Sequence, residues 1–181
     1  NLKNLIISYA KLPRKLILKH RLVLAGKLLD IERDWLKEWM FEYNLPSEYV
    51  TILGFVSDFE LSELYKNCHL FIFPSFHEGF GLPVLEAMSC GAAVIGSNAT
   101  SIPEVINNNK ALFNPYDTNE ITSLIQKCLQ DKVFYNDVKI QSFNNSKLFS
   151  WDKTAKLVMY AFNSILIESD MTQSFSKTNN Q

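Results

Sequence analysis

Two glutamates eight positions apart, Glu78 and Glu86, bracket a turn with two glycines and a proline in the stretch Pro74 to Glu86, PSFHEGFGLPVLE. Carboxylates accept hydrogen bonds from hydroxyl groups, which apolar and basic side chains cannot do. Between them the chain leaves a strand-like apolar run and enters a helix at Pro83, a residue suited to the first helical position. The amides of Phe80, Gly81 and Leu82 then stand at the positive end of a helix dipole, where a phosphate can be held without side-chain charge. Gly79 and Gly81 let a ligand approach the backbone closely. Taken alone, the turn reads equally well as a strand-to-helix connection that needs glycine for its dihedrals. It is neither a dinucleotide fingerprint nor a P-loop, because the third glycine and the lysine are absent. Each glutamate also has a plain reading: Glu86 as a first-turn acid worth about 0.3–1 kcal/mol to its helix, Glu78 as a solvated loop acid. The combination decides. Carboxylate, amide nest, carboxylate matches a nucleotide sugar, which has hydroxyls at both ends and a diphosphate in the middle.

The elements that must position this stretch read as alternating strands and helices. Residues 21–26 (RLVLAG), 49–54 (YVTILG), 69–74 (HLFIFP), 92–96 (AAVIG) and, more weakly, 110–114 (KALFN) are short apolar runs closed by glycine, proline or asparagine. Residues 31–42, 58–67, 83–90 and 118–131 have apolar residues at three- and four-residue spacing and read as helices, with Asp58 and Asp117 where N-caps belong. The pattern is that of strand, crossover helix and next parallel strand, so the fold class is α/β, a Rossmann-like doubly wound parallel sheet. Ligands in such sheets bind at the carboxyl ends of the strands, where the Glu78 turn lies. Leu2, Leu5, Ile6 and Tyr9 form a helical stripe at the very start, with no strand ahead of it. Further helical stretches run to Phe149 and from Trp151 to about residue 168. One domain over residues 1–168 is expected, followed by a polar tail over 169–181 that reads as disordered.

The chain has 181 residues, 18 basic against 19 acidic, a net charge of -1 and 47% hydrophobic content. That length is enough to bury about 70% of the unfolded surface in one core. No run of lysine or arginine exceeds two, which argues against a nucleic-acid partner. Apolar runs such as residues 70–73 fall far short of the roughly 20 residues that span a bilayer, and no signal peptide opens the chain, so a cytoplasmic location is expected. Cys68, Cys90 and Cys128, odd in number and widely spaced, read as buried thiols of a reducing compartment. The glycosylation-type triplets at Asn98 and Asn144 then carry no weight.

Residues 74–86 resemble the E-x7-E signature of retaining glycosyltransferases with the two-domain GT-B architecture, in the large family numbered four. Gly54-Phe55-Val56-Ser57-Asp58 with Leu64-Tyr65, Leu85 to Gly91 (LEAMSCG), Ser101 to Val105 (SIPEV) and Phe149-Ser150-Trp151 resemble its other landmarks, and the resemblance covers roughly residues 1–167. It implies that the chain is the C-terminal, donor-binding half of a GT-B fold. It also implies that Glu78 contacts the donor sugar, and that the amides of Phe80, Gly81 and Leu82 hold sugar and diphosphate. Glu86 would accept from the ribose, Phe55 and Val56 line the base, and Gly26 and Lys27 border the nucleotide. The implied reaction transfers a hexose with retention from a nucleotide diphosphate sugar, GDP-mannose or a UDP-hexose, to a saccharide or lipid-linked acceptor, with no metal and no cofactor. The family's arginine and lysine before this first helix have no counterpart, since Asn1-Leu2 aligns just after that lysine. The strand ahead of them, which belongs between residues 21–26 and 69–74, and an N-terminal acceptor domain are likewise expected to be missing.

His20, His69 and His77 have no metal-ligand spacing with the cysteines, and His69 reads as a packed histidine. His77, beside Glu78, reads equally as a sugar contact or a loop residue. Trp35, Trp39 and Phe41 fit partial core packing, with Arg33 and Lys37 leaving a peripheral membrane role open. No Gly-x-Ser-x-Gly elbow appears, which argues against hydrolase chemistry. The rival class to a transferase is a non-catalytic nucleotide-sugar-binding module or an inactive fragment lacking its acceptor domain.

Overall fold

The computed structural model describes residues 1–178, with side chains to residue 165. The chain separates into two compact units, Asn1–Ser146 and Lys147–Gln181, where a single domain through residue 168 was expected.

The first unit alternates strands and helices as the apolar pattern requires. In chain order it holds α1 (Leu2–Ala10), α2 (Arg14–Lys19), β1 (Leu22–Ala25), α3 (Asp30–Glu42), β2 (Val50–Gly54), α4 (Asp58–Asn67), β3 (Phe71–Phe73) and α5 (Leu82–Ser89). It continues with β4 (Val94–Ser97), α6 (Ile102–Ile106), β5 (Leu112–Phe113), α7 (Thr118–Gln130) and α8 (Lys132–Ser146). All five expected strands are present. The short helices α2 and α6 were not expected from the sequence.

Every ladder is parallel. β1 pairs with β2 (Leu22 opposite Val50), while β3 and β5 flank β4 (Phe71 opposite Val94, Gly96 opposite Leu112). Among the described residues no ladder joins β1 to β3, so there are two sheets, ordered β1-β2 and β3-β4-β5. The break falls where the resemblance puts a further strand. β4 is buried along its whole length, which its apolar run permits because α5, α6 and α8 all pack on it. β1 instead alternates, with Leu22 and Leu24 buried and Val23 exposed.

Side chains tie the helices to the strand ends. Asn1 Nδ2 donates to the carbonyls of Pro74 and Pro115, and Asn4 Nδ2 also donates to Pro115, which fixes the start of α1 beside the ends of β3 and β5. Tyr9 Oη donates to the His20 carbonyl at 2.7 Å. Two first-turn expectations shift by one residue. Ser57, not Asp58, caps α4, because its hydroxyl accepts from Glu60 N while the Glu60 carboxylate accepts from Ser57 N, a reciprocal box that an aspartate one position later cannot make. Pro83 is the second residue of α5 rather than the first. Asp117 caps α7 as expected, accepting from the amides of Asn119 and Glu120.

Of the aromatic residues on α3, Trp39 packs against the core, whereas Trp35 is 45% and Phe41 88% exposed, so the packing there is less complete than the spacing suggested. His69 precedes β3 rather than lying in it, and it stacks on Tyr135 with ring centroids 4.4 Å apart. The second unit contains α9 (Trp151–Thr178), which continues into the stretch expected to be a disordered tail; residues 179–181 lie outside the described ones.

Candidate functional site

The chain leaves β3 at Phe73 and re-enters regular structure at Leu82, and the turn between is shaped by Gly81. Gly81 has φ of 97°, in the left-handed region, and a Cβ there would meet Ile102 Cδ1 at 2.6 Å. Backbone and packing therefore both demand glycine. Gly81 is the N-cap of α5, so its amide and that of Leu82 stand at the first turn, for which the helix supplies no acceptor. Phe80 and Leu82 are 40% and 44% exposed at this end.

Glu78 is half-buried and its peptide is held from both sides. Its N–H donates to Thr100 Oγ1 at 3.0 Å, and its carbonyl accepts from Ser101 Oγ at 3.1 Å. Glu86 is exposed on α5, and one of its carboxylate oxygens accepts from Tyr65 Oη of α4 at 3.3 Å. Tyr65 is buried and meets Phe71 of β3 edge-on, with ring centroids 5.2 Å apart. Burial, and then the Glu86 carboxylate beside it, push the Tyr65 phenol well above its usual range, so it stays protonated and donates. Among the described residues no lysine or arginine forms an ion pair with Glu78 or Glu86; the two ion pairs seen, Lys37–Asp34 and Lys66–Glu63, lie elsewhere on the surface.

The remaining expected residues gather at the ends of the other sheet. Gly26 N donates to the Gly54 carbonyl at 2.8 Å, joining the close of β1 to the close of β2. Lys27 and Phe55 are exposed beyond those ends, and Val56 is half-buried. The structure thus brings Glu78, Phe80, Gly81, Leu82 and Glu86 together on one strand-helix connection. Gly26, Lys27, Phe55 and Val56 form a separate group at the closes of β1 and β2. The sequence does not reveal the hydrogen bonds of Thr100, Ser101 and Tyr65; Ser101 and Tyr65 enter there only as landmarks of the resemblance. Thr100 and Ser101 stand in a polar run with no periodicity, and nothing in their spacing points back to Glu78.

Surface hollows of about 400 Å³ beside Ser123 and Lys127 and about 220 Å³ between His69, Cys128 and Tyr135 include no residue of this site. No group of three or more His, Cys, Asp or Glu side chains that could hold a metal ion occurs among the described residues. No helix described is long and apolar enough to cross a membrane.

Residues 1–144 match the family described as glycosyl transferases group 1. The chain belongs to that family. Among curated relatives of this group 1 chain, the serotype-specific mannosyltransferase WbdA of Escherichia coli is 42% identical over 172 residues, which is 95% of the chain and 21% of the relative. The O-antigen chain mannosyltransferase B of Escherichia coli is 34% identical over 165 residues, covering 90% of the chain and 42% of the relative. The chain therefore spans about a fifth to two-fifths of the length of these relatives. Among solved structures, sucrose-phosphate synthase from Thermosynechococcus elongatus superposes with a TM-score of 0.79 at 25% identity, over 92% of the chain and 42% of that protein. HepE from Anabaena, in complex with UDP and glucose, superposes with a TM-score of 0.76 at 24% identity, over 89% and 44%. These likenesses establish the fold: parallel sheets with flanking helices, as in GT-B glycosyltransferases.

Proposed function

We propose that this group 1 chain is the donor-binding part of a hexosyltransferase that uses a nucleotide diphosphate sugar, with GDP-mannose favoured over UDP-hexoses, to build a polysaccharide. The observation that carries the reading is one connection with a glutamate on each side of the α5 N-terminus, the peptide of Glu78 and the carboxylate of Glu86 each hydrogen-bonded to hydroxyl groups of neighbouring elements. Names of the relatives support the sugar, since WbdA and the O-antigen chain mannosyltransferase B are mannosyltransferases. The complex of HepE with UDP and glucose supports a nucleotide-sugar donor.

In this reading Glu86 accepts from the ribose hydroxyls, and Tyr65 presents it by occupying one of its oxygens. The amides of Phe80, Gly81 and Leu82 face the diphosphate, where first-turn N–H groups stabilise the charge that develops as the sugar departs. Glu78 accepts from the sugar hydroxyls. Phe55 and Val56 line the base, and Gly26 and Lys27 border the nucleotide. Retention at the anomeric carbon follows if the leaving phosphate takes the acceptor proton on the same face, which leaves positioning and electrostatics as the protein's contribution. A saccharide or lipid-linked acceptor then binds to a part of the longer polypeptide beyond these residues, on the cytoplasmic side of a membrane.

Calorimetric titration of the full-length polypeptide with GDP, GDP-mannose, UDP and UDP-glucose tests the reading. Binding of one nucleotide and its sugar, weakened by Glu86→Ala, is expected. Absence of binding by all four overturns it.

A further inference from the structure

Glu78 has both polar groups of its peptide engaged by side chains of a single distant turn, Thr100 accepting from the N–H and Ser101 donating to the carbonyl. That turn joins β4 to α6, and the next residue, Ile102, is fully buried with Cδ1 in the space that a side chain at Gly81 would need. Three consecutive residues therefore grip the Glu78–Gly81 stretch at both ends. Thr100 does so from a disfavoured conformation. Its φ is 50°, and among the described residues the other non-glycine residues with positive φ are Asn44 and Asn107, a residue type that tolerates the left-handed region. A β-branched side chain there is an outlier that persists only where surroundings over-determine it. A glycine would relax the backbone, but it would lose the hydroxyl that meets Glu78.

We propose that Thr100 and Ser101 are positioning residues that hold the Glu78 peptide so that its carboxylate meets the donor sugar, the strain at Thr100 being retained for that contact. The inference rests on the reading of Glu78 as the sugar contact. Because the two hydroxyls act on the peptide of Glu78 and touch nothing at Glu86, their loss changes recognition of the sugar and leaves that of the nucleotide.

The test uses the full-length polypeptide and two probe pairs, GDP with GDP-mannose and UDP with UDP-glucose, titrated calorimetrically into Thr100→Gly, Thr100→Ser, Ser101→Ala and Glu78→Gln. Thr100→Gly is expected to unfold at the same temperature or higher, to bind the sugar nucleotide about tenfold more weakly and to bind the nucleoside diphosphate within about twofold of the native affinity. Ser101→Ala should move affinity the same way, and Thr100→Ser should restore native behaviour. Hydrogen exchange at the Glu78 amide should quicken in Thr100→Gly and not in Thr100→Ser, which a merely space-filling threonine would not produce. If Glu78→Gln weakens sugar binding and Thr100→Gly does not, the positioning role is overturned and the reading of Glu78 survives. Equal weakening of both ligands in Thr100→Gly also overturns it, as a general loosening of the loop. If Glu78→Gln has no effect on the sugar nucleotide, or the native protein binds none of the probes, the reading beneath falls and takes this inference with it.

Discussion

Truncating Glu86 should separate binding from folding. The carboxylate is exposed and accepts from the Tyr65 hydroxyl, so Glu86→Ala is expected to leave the melting temperature nearly unchanged. Each hydrogen bond it makes to a bound ribose is worth roughly 1.5–3 kcal/mol, so GDP affinity should fall at least about tenfold by calorimetry. Tyr65→Phe removes the orienting hydroxyl without opening a cavity, and a smaller loss of affinity, about 0.5–1.5 kcal/mol, is expected in the same titration. Gly81→Ala differs from both. It places a methyl 2.6 Å from Ile102 Cδ1 at a φ of 97°, so it should lower stability by more than about 1 kcal/mol, read as the shift in a denaturant midpoint. At this scale the sequence makes Glu78, Glu86 and the glycines legible, because chemical type and spacing within one segment are enough. Thr100, Ser101 and Tyr65 act across 21 to 23 positions of chain, through contacts that only the crossover from strand to strand creates.

Helix α4 begins with a reciprocal box in which the Glu60 carboxylate accepts from both the amide and the hydroxyl of Ser57. Those two bonds hold the Glu60 carboxyl below its usual range. Ser57→Ala should cost about 1 kcal/mol and loosen the helix that carries Tyr65, measurable as a drop in melting temperature. Where α2 runs into β1, the His20 and His69 rings lie 5.0 Å apart, and His69 stacks on Tyr135. Burial lowers the affinity of both imidazoles for protons. For His20, His69 and Lys19 add to this; for His69, Lys19 and Lys139 do. Their folded pKa values thus lie below the unfolded value of 6.5, and the unfolded chain binds protons first as pH falls. Stability is therefore complete above pH 6.5 and declines as pH drops below it, and His69→Gln should flatten the dependence of melting temperature on pH in that range. Strands and long helices are legible because short continuous apolar runs closed by turn residues differ from apolar residues at three- and four-residue spacing. α2 (RKLILK) and α6 (IPEVI) are not, being six and five residues long, too short for a helical period to repeat.

The first unit holds two sheets, and β1 and β3 each pair on one side only among the described residues. Unpaired edges recruit other chains, and Phe71-Ile72-Phe73 in β3 brings no charge to discourage this. The 181 residues by themselves should associate as concentration rises, seen by light scattering, whereas a longer polypeptide that supplies a strand between β1 and β3 should not. A monodisperse monomer at high concentration would mean the edges are already covered. The α/β class and the place of the break could be anticipated from strand count and resemblance. The division at Ser146 could not, because no change of composition marks it.

Depth also differs among the three cysteine thiols. Cys128 is 2% exposed, and burial pushes its thiol up to about 12, whereas Cys68 and Cys90 are half-buried. A thiolate-selective reagent at neutral pH can reach Cys128 only when the core opens, while Cys68 and Cys90 answer to smaller excursions near α4 and α5. The chain thus carries three built-in reporters at graded depth. Their labelling rates, followed by mass spectrometry with and without a nucleotide, would separate breathing around the candidate site from unfolding of the whole, with no dye or tag introduced.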